Sequence, residues 1–486
     1  MLAYFRFFTI LSFYIFAEEK VDVSIIEVGI GGRMDSTNVI PRPVVCAISS
    51  LGYDHQPVLG RTLKEIAWQK GGIFKEGAIC LTLPQVPEGM NSLAECARDA
   101  NARLFVTVAL ESYSTHHLDL PTRRVELPHM QGDFQRDNAA LAVAIANAFV
   151  AMCPDPHPCL TAPEWTKLRE IWTEHATRLQ PPTCVPVSAH SKDVHPGVPS
   201  VPTLRMSPIW VSALGSTQWP GRCQPLWLGQ QWDTLEDSAS AAKACWLGTT
   251  LFLDGAHTQE SALAAARWFG SASPRLVHAT AMRRSPRLRP LDDTPVAPPE
   301  FSLGESPLLG AGGPSPVNAS ATRILLFNCT GEREPLPLLT TFSEVLSGLL
   351  GTSDGTTGLD MALFVPSDTN KQLRLGGDSA AKDTSWQEKQ ARAMLQVLRT
   401  RDGVVKGRAA ATPEPDQVSR EQLYAGVEVG LCEVRVVPAL REAMDLIHKT
   451  MDEDSSVVHV FVTGSLYLVG DVLRLYQSRC PSMLDL

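Results

Sequence analysis

The chain has 486 residues, 44% of them hydrophobic and 20% charged, a globular composition too long for one ordinary core. Its formal charge of -9 argues against nucleic acid as the main partner, because that role needs a basic face. The eleven cysteines form no Cys-x-x-Cys pair and read as reduced thiols, which sets aside a disulfide framework and a zinc ribbon.

Residues 2–17 are almost wholly apolar, with Arg6 near the start. A secretory signal is one reading. A buried helix is favoured, because no small-x-small cleavage site follows and Glu18-Glu19-Lys20 leads straight into a strand-like run. The segment is too short and interrupted to span a bilayer, so no integral membrane span is expected. Residues 21–28 (VDVSIIEV) predict a buried strand ending at the turn Gly29-Ile30-Gly31-Gly32, and residues 43–50 a second strand ending at Leu51-Gly52. Residues 62–70 predict a helix with Leu63, Ile66, Ala67 and Lys70 on one face. Asp137 or Asn138 is suited to cap an Ala-rich helix running to Pro154.

Residues 179–209 are rich in Pro, Ser and Val and read as a linker or surface insertion. Order resumes near Trp219-Pro220-Gly221-Arg222. Three strand–turn units follow, at 249–253 with Asp254-Gly255-Ala256-His257, at 324–327 with Asn328-Cys329-Thr330-Gly331, and at 457–462 with Thr463-Gly464-Ser465. Helices are expected over 261–269 and 466–476, and mobile insertions over 274–318, 367–390 and 402–418. Apolar strands alternating with helices imply α/β architecture with a mostly parallel sheet.

Ligands in such sheets collect at the carboxyl ends of strands. Glu27 interrupts an apolar strand there, a costly place for a carboxylate without a cation or partner. His55 follows the second strand. Lys70 lies on the apolar face of its helix, where desolvation lowers an amine pKa and favours reaction with carbon dioxide to an anionic carbamate. Singly, Glu27 reads as a salt bridge to Lys70 and His55 as a turn histidine; the three together read as a metal site beside a phosphate. Residue types alone leave magnesium, manganese and zinc open. The glycine turn fails the G-x-G-x-x-G pattern, because Met34 stands where the third glycine belongs. No Gly-Lys dipeptide occurs, so the chain holds no G-x-x-x-x-G-K-[ST] phosphate loop. Farther on, Arg222 suits an oxyanion clamp, Asp254 ends a strand, and Thr463-Gly464-Ser465 opens a helix whose N–H groups face outward. Taken alone, these are a solvated arginine, a turn and an N-cap.

Together the motifs resemble the folylpolyglutamate synthases, Mur-ligase-like amide ligases, and more closely their animal form. The carrying blocks are EVGIGG at 27–32 with DSTN at 35–38, SSLGYDH at 49–55, IAWQKGGIFK at 66–75, QRDNAAL at 135–141, WPGR at 219–222, LDGAH at 253–257 and VTGSL at 462–466. The resemblance implies a nucleotide-binding domain over 1–178, a linker over 179–209 and a smaller Rossmann-like α/β domain over 210–486. It implies Glu27 and His55 as magnesium ligands and Lys70 as the carbamylated lysine of the family. Asn138 matches an adenine contact, Arg222 and Asp254 match ATP contacts, and His257 lies by the glutamate cleft. The implied reaction adds L-glutamate to the γ-carboxyl of a reduced folate with ATP and Mg2+, a monovalent cation such as K+ being a further candidate. Partners are then small molecules (reduced folates, L-glutamate and ATP), and the chain is expected to be a monomer in the cytoplasm, the mitochondrion or both.

Family members carry a Gly-rich phosphate loop and a folate-contacting loop ahead of the strand that 21–28 matches. The chain is therefore expected to be N-terminally truncated, with little or no ligase activity by itself. Two other functions stay open: a non-catalytic binding or regulatory isoform, and a dihydrofolate synthase.

Overall fold

The protein is described here by a computed structural model covering residues 4–113, 125–153, 155, 161–178, 198–202, 206, 208–228, 249–284, 321–330, 333–350, 357–367, 384–406, 413–450 and 457–479. The chain divides into two units, one of Met1–Leu127 with Phe134–Ser216, the other of Pro128–Asp133 with Thr217–Leu486. The change of unit falls at Thr217, a few residues past the expected boundary.

The first unit contains α1 (Tyr4–Glu18), β1 (Val45–Ile48), α2 (Gln56–Leu59), α3 (Leu63–Gly71), β2 (Ile79–Thr82), α4 (Pro87–Asp99), β3 (Arg103–Val106), α5 (Asp133–Met152), α6 (Ala162–Arg178) and α7 (Pro208–Ser216). Its sheet has the order β1-β2-β3, with both pairings parallel. Helix α3 starts where predicted because Thr62 forms a capping box: its Oγ1 accepts from Glu65 N–H at 3.2 Å, and Glu65 Oε2 accepts from Thr62 N–H at 3.0 Å. Ile66 and Ala67 are fully buried. Gly71 lets α3 approach α4 so closely that a Cβ there would lie 2.8 Å from Cys96 Sγ.

Several expectations for this unit are corrected. Residues 21–28 form no strand; most are exposed, Ile25 at 91%, and no described strand pairs with them. An isolated extended segment has no ladder to satisfy its backbone, so the apolar run alone does not make a strand. Residues 4–18 are helical as expected but not buried: Thr9 is the buried residue, while Tyr4 is 81% and Tyr14 62% exposed. The apolar side chains of α1 ring the helix, and the described neighbours cover only part of that ring. No described helix is long and apolar enough to cross a membrane. Helix α5 begins at Asp133, after Gly132 at φ +98°, so Asn138 lies within the helix and does not cap it. In the expected linker, Pro199 and Val201 bond to Val106 (2.9 and 2.8 Å) and extend the edge at β3. Residues 179–197 lie outside the described residues.

The second unit contains β4 (Gln224–Trp227), β5 (Thr249–Leu253), α8 (Gln259–Arg284), β6 (Ala321–Phe327), α9 (Pro335–Leu349), β7 (Met361–Phe364), α10 (Ser385–Lys406), α11 (Arg420–Ala425), β8 (Val427–Val429), β9 (Cys432–Val436), α12 (Leu440–Lys449), β10 (Val457–Thr463) and α13 (Leu466–Arg479). Its sheet order is β4-β5-β10-β6-β7-β9-β8, parallel except at the edges, where β4 and β8 run antiparallel to their neighbours. The larger described sheet thus lies in the second unit. Strands β5 and β10 are wholly buried, as expected of central strands covered on both faces. The three expected insertions are narrower than predicted: residues 274–284, 385–390 and 402–406 are helical, and Val418 is buried. The remainders, at 285–318, 368–383 and 407–412, lie outside the described residues.

Candidate active-site elements

In the first unit the 29–38 motif folds as one knot against the end of α3. The Asp35 carboxylate accepts from Ile30 N–H (2.9 Å), Thr37 N–H (2.9 Å) and Thr37 Oγ1 (2.7 Å). Burial works against the charge of Asp35, but these hydrogen bonds outweigh it and hold the carboxyl below its ordinary range. Arg33 N–H donates to Gln69 O at 2.8 Å, and the Arg33 guanidinium lies 3.8 Å from the Trp68 ring centroid. Asn38 Nδ2 donates to Arg33 O and Gly72 O, both at 3.1 Å. The contact is close enough that a Cβ on Gly72 would lie 2.6 Å from Arg33 Cα, and one on Gly32 2.9 Å from Lys70 O. Beside this knot, Phe5, Arg6, Met34, Asp35, Leu59 and Gln69 help line an open cavity of about 310 Å3.

Lys70, at the end of α3, is partly buried. Desolvation pulls its pKa down, and the Asp54 charge opposes that pull. His55 is exposed, sits at φ +52° ahead of α2, and has its Nε2 3.7 Å from Asp54 Oδ2. Asp54 is therefore the charge shared by Lys70 and His55. Glu27 is exposed on the irregular 21–28 segment. Among the described residues no group of three or more His, Cys, Asp or Glu is arranged to hold a metal ion, so Glu27 joins His55 and Asp54 in no such group. Asn138 is exposed on α5, its Nδ2 donating to Gln135 Oε1 at 3.1 Å.

In the second unit, Arg222, Asp254 and His257 come together at the carboxyl end of β5. Asp254 is buried; its Oδ2 accepts from Cys223 N–H (2.9 Å) and from the Cys223 thiol (3.3 Å). Burial pushes its pKa up, while the Cys223 bonds, the Arg222 charge and the Ala256 N–H pull it back. The turn that carries Arg222 is bent by Gly221 at φ +75° and Cys223 at φ +44°. Gly221 N–H donates to Gln224 Oε1 at 2.8 Å, and Gly255 N–H to Gly221 O at 3.3 Å. A Cβ on Gly255 would lie 2.8 Å from Arg222 Nη1 and 2.2 Å from Leu466 Cδ2, so glycine there lets the guanidinium lie near the start of α13. His257 Nδ1 is 2.7 Å from Gly255 O, which makes Nδ1 the donor and Nε2 the acceptor of the neutral ring. Ser261 Oγ accepts from His257 and Thr258 N–H at 3.1 and 2.9 Å, fixing the start of α8. On the adjoining strand β10, Thr463 Oγ1 is buried without a partner among the described residues, and Gly464 at φ +96° turns the chain into α13.

Sequence reasoning assigned no part to Cys223, whose N–H and thiol anchor Asp254; its place directly after the Trp-Pro-Gly-Arg turn was the available signal. Asp35 stands out in the sequence only as part of the DSTN block, although an Asp two residues before a Thr is a recognisable Asx-turn pattern.

No protein-family model matches the chain. It is similar to folylpolyglutamate synthase of Arabidopsis thaliana, 30% identical over 487 residues, covering 97% of this chain and 66% of that protein. It is also similar to the mitochondrial folylpolyglutamate synthase of Bos taurus, 28% identical over 517 residues, covering 98% of this chain and 70% of that protein. Identity to the plant relative is thus at least as high as to the animal one. The fold matches a Mycobacterium tuberculosis folylpolyglutamate synthase solved with ADP and AMPPCP, with a TM-score of 0.51 and 17% identity, covering 98% of this chain and 73% of that one. The chain spans about two thirds of the length of the curated relatives it matches, and it belongs to the folylpolyglutamate synthase family.

Proposed function

We propose that this chain serves an ATP-dependent ligase that adds L-glutamate to the γ-carboxyl of tetrahydrofolate and its polyglutamates. The observation that carries the reading is the meeting of Arg222, Asp254 and His257 at the carboxyl end of β5, with the Thr463-Gly464-Ser465 turn on the strand beside it. A carboxylate is a poor acyl donor. Transfer of the ATP γ-phosphoryl group to the folate carboxylate gives an acyl phosphate, which the amine of glutamate attacks with release of phosphate. The task is to offset crowded negative charge. Arg222 supplies a fixed guanidinium for it. The Thr463 hydroxyl and the N–H groups opening α13 supply neutral donors. His257, with Nε2 as its acceptor, is suited to take the proton that the attacking ammonium must lose. The cavity beside Asp35 offers the aromatic ring of Phe5 and the charge of Arg6, suited to a flat heteroaromatic ring with an anionic tail.

Magnesium accompanies ATP in this proposal. Glu27, His55 and Asp54 form no metal-holding group among the described residues, and no step is assigned to a protein-held ion. The absence of a Gly-Lys dipeptide favours a second reading, in which these residues alone bind ligands without turnover. A hybrid separates the two readings. The part of the Arabidopsis relative outside the matched region is joined to this chain and assayed for ATP-dependent transfer of labelled glutamate to tetrahydrofolate. Product from the hybrid, with little or none from the chain alone, supports the ligase reading. A folded hybrid that binds ATP and makes no product contradicts it, and faster turnover of dihydropteroate redirects it to dihydrofolate synthesis.

A further inference from the structure

Strands β1 and β2 place Cys46 opposite Cys80 as register partners in a parallel ladder. Neighbouring strands run about 4.8 Å apart, inside the roughly 4.4–6.8 Å Cα separation that a disulfide spans. Both side chains belong to the same buried cluster, so they share one face of the sheet, and both are free thiols. We propose that Cys46 and Cys80 form a peroxide-sensitive dithiol that closes to a disulfide in the folded protein.

The surroundings favour Cys46 as the first sulfur to react. The neighbouring Cys80 side chain and the Lys75 charge together hold its pKa below the usual thiol value despite burial. Cys80, deeper and fully buried, is pushed up and suits the resolving role. A hydroperoxide is the oxidant. The Cys46 thiolate attacks one peroxide oxygen, the O–O bond breaks, hydroxide leaves, and Cys46 becomes a sulfenic acid. The Cys80 sulfur then attacks the Cys46 sulfur, its proton leaves with the departing oxygen as water, and the S–S bond forms. Two thiols are oxidised by two electrons, and hydrogen peroxide is reduced to two waters.

The pair lies under the end of α3. The Cys46 thiol donates to Ile73 O at 3.3 Å, and Ile73 N–H donates to Lys70 O at 3.3 Å. Closing the disulfide removes the first of these bonds and loosens the turn behind Lys70. That this loosening lowers ligase turnover rests on the proposed function; the disulfide does not.

The test treats the folded protein with hydrogen peroxide, blocks remaining thiols with iodoacetamide, and maps the unreduced tryptic digest by mass spectrometry. Cys80 and Cys96 share the fragment 76–98, so a Cys96→Ser protein is run in parallel with wild type. The expected result is a 34–61 fragment linked to 76–98 through Cys46 and Cys80, with loss of two titratable thiols reversed by dithiothreitol. In Cys80→Val the link is absent and Cys46 accumulates as sulfenic or sulfinic acid. Should that variant fail to fold, the wild-type and Cys96→Ser maps still decide. Oxidation of other cysteines with Cys46 and Cys80 unlinked, or a link found only in urea, overturns the proposal. A mapped disulfide in a protein whose hybrid makes no folate product leaves the dithiol standing and removes only its effect on turnover.

Discussion

Asp254 Oδ2 accepts two hydrogen bonds from one residue, from the N–H of Cys223 at 2.9 Å and from its thiol at 3.3 Å. This double anchor ties the turn that carries Arg222 to the end of β5, so Asp254 shapes the site as well as charging it. Asp254→Ala leaves the buried Cys223 N–H without its acceptor and is expected to cost about 1–3 kcal/mol in urea denaturation. Asp254→Asn keeps an oxygen acceptor and is expected to retain most of that stability. Equal stability of Asp254→Ala and wild type would remove the anchor from the account.

The close approach of Gly72 to Arg33 makes a second prediction. A methyl group at position 72 would meet Arg33 backbone at 2.6 Å, so Gly72→Ala forces the 29–38 knot away from α3. Overpacking of this kind costs about 1–3 kcal/mol. Thermal unfolding of the variant should begin earlier, with amide exchange accelerated at Arg33 and Asn38. Unchanged exchange at both residues would contradict the packing described.

Lys70 is held below the ordinary lysine pKa by burial, with Asp54 opposing. A lysine lowered on folding destabilises the fold while it is charged, so its penalty fades as pH rises from the folded value toward the unfolded one. Lys70→Met is therefore expected to be at least as stable as wild type at neutral pH and to lose the rise in stability on the alkaline side. The same depressed amine should give a carbamate signal in carbon-13 NMR with labelled bicarbonate, absent in Lys70→Arg. A Lys70→Met protein markedly less stable at neutral pH would contradict the sign.

His459 on β10 is fully buried. Its Nδ1 meets Ser273 Oγ at 2.8 Å, and Arg323 Nε donates to the same hydroxyl at 3.1 Å. Burial first, and then the Arg323 charge, lower its pKa to about 3. The neutral ring therefore contributes stability that is complete above an ordinary histidine value of about 6.5. That stability is lost as pH falls from there toward the folded value. Each pH unit of this window carries at most about 1.4 kcal/mol. Denaturation of His459→Phe should show a flatter pH dependence between those limits; an unchanged slope would assign the acid sensitivity elsewhere.

The sequence made much of this legible. Helix α3 was readable from Thr62 and Glu65, because a capping box is a local signal. Strands β5, β6 and β10 were readable from apolar runs ending at glycine turns, because central parallel strands need no partner-specific pattern. Asp254 was readable from the rule that strand ends gather ligands, Arg222 from guanidinium chemistry, and His257 from the family resemblance. The 21–28 segment was not readable, because an apolar run records a preference for burial and not the presence of a neighbouring strand. The same gap explains α1, whose helical form is local and whose burial is not. Glu27 fails to join the His55 and Asp54 pair for that reason, since its position depended on the strand.

The central claim is that Arg222 holds the phosphates of ATP at the carboxyl end of β5. Isothermal titration of this protein with ATP, beside Arg222→Ala of equal thermal stability, tests it most directly. The account predicts measurable binding by the wild type and at least tenfold weaker binding by the variant. Identical affinities in the two proteins, or no binding by a folded wild type, would contradict it.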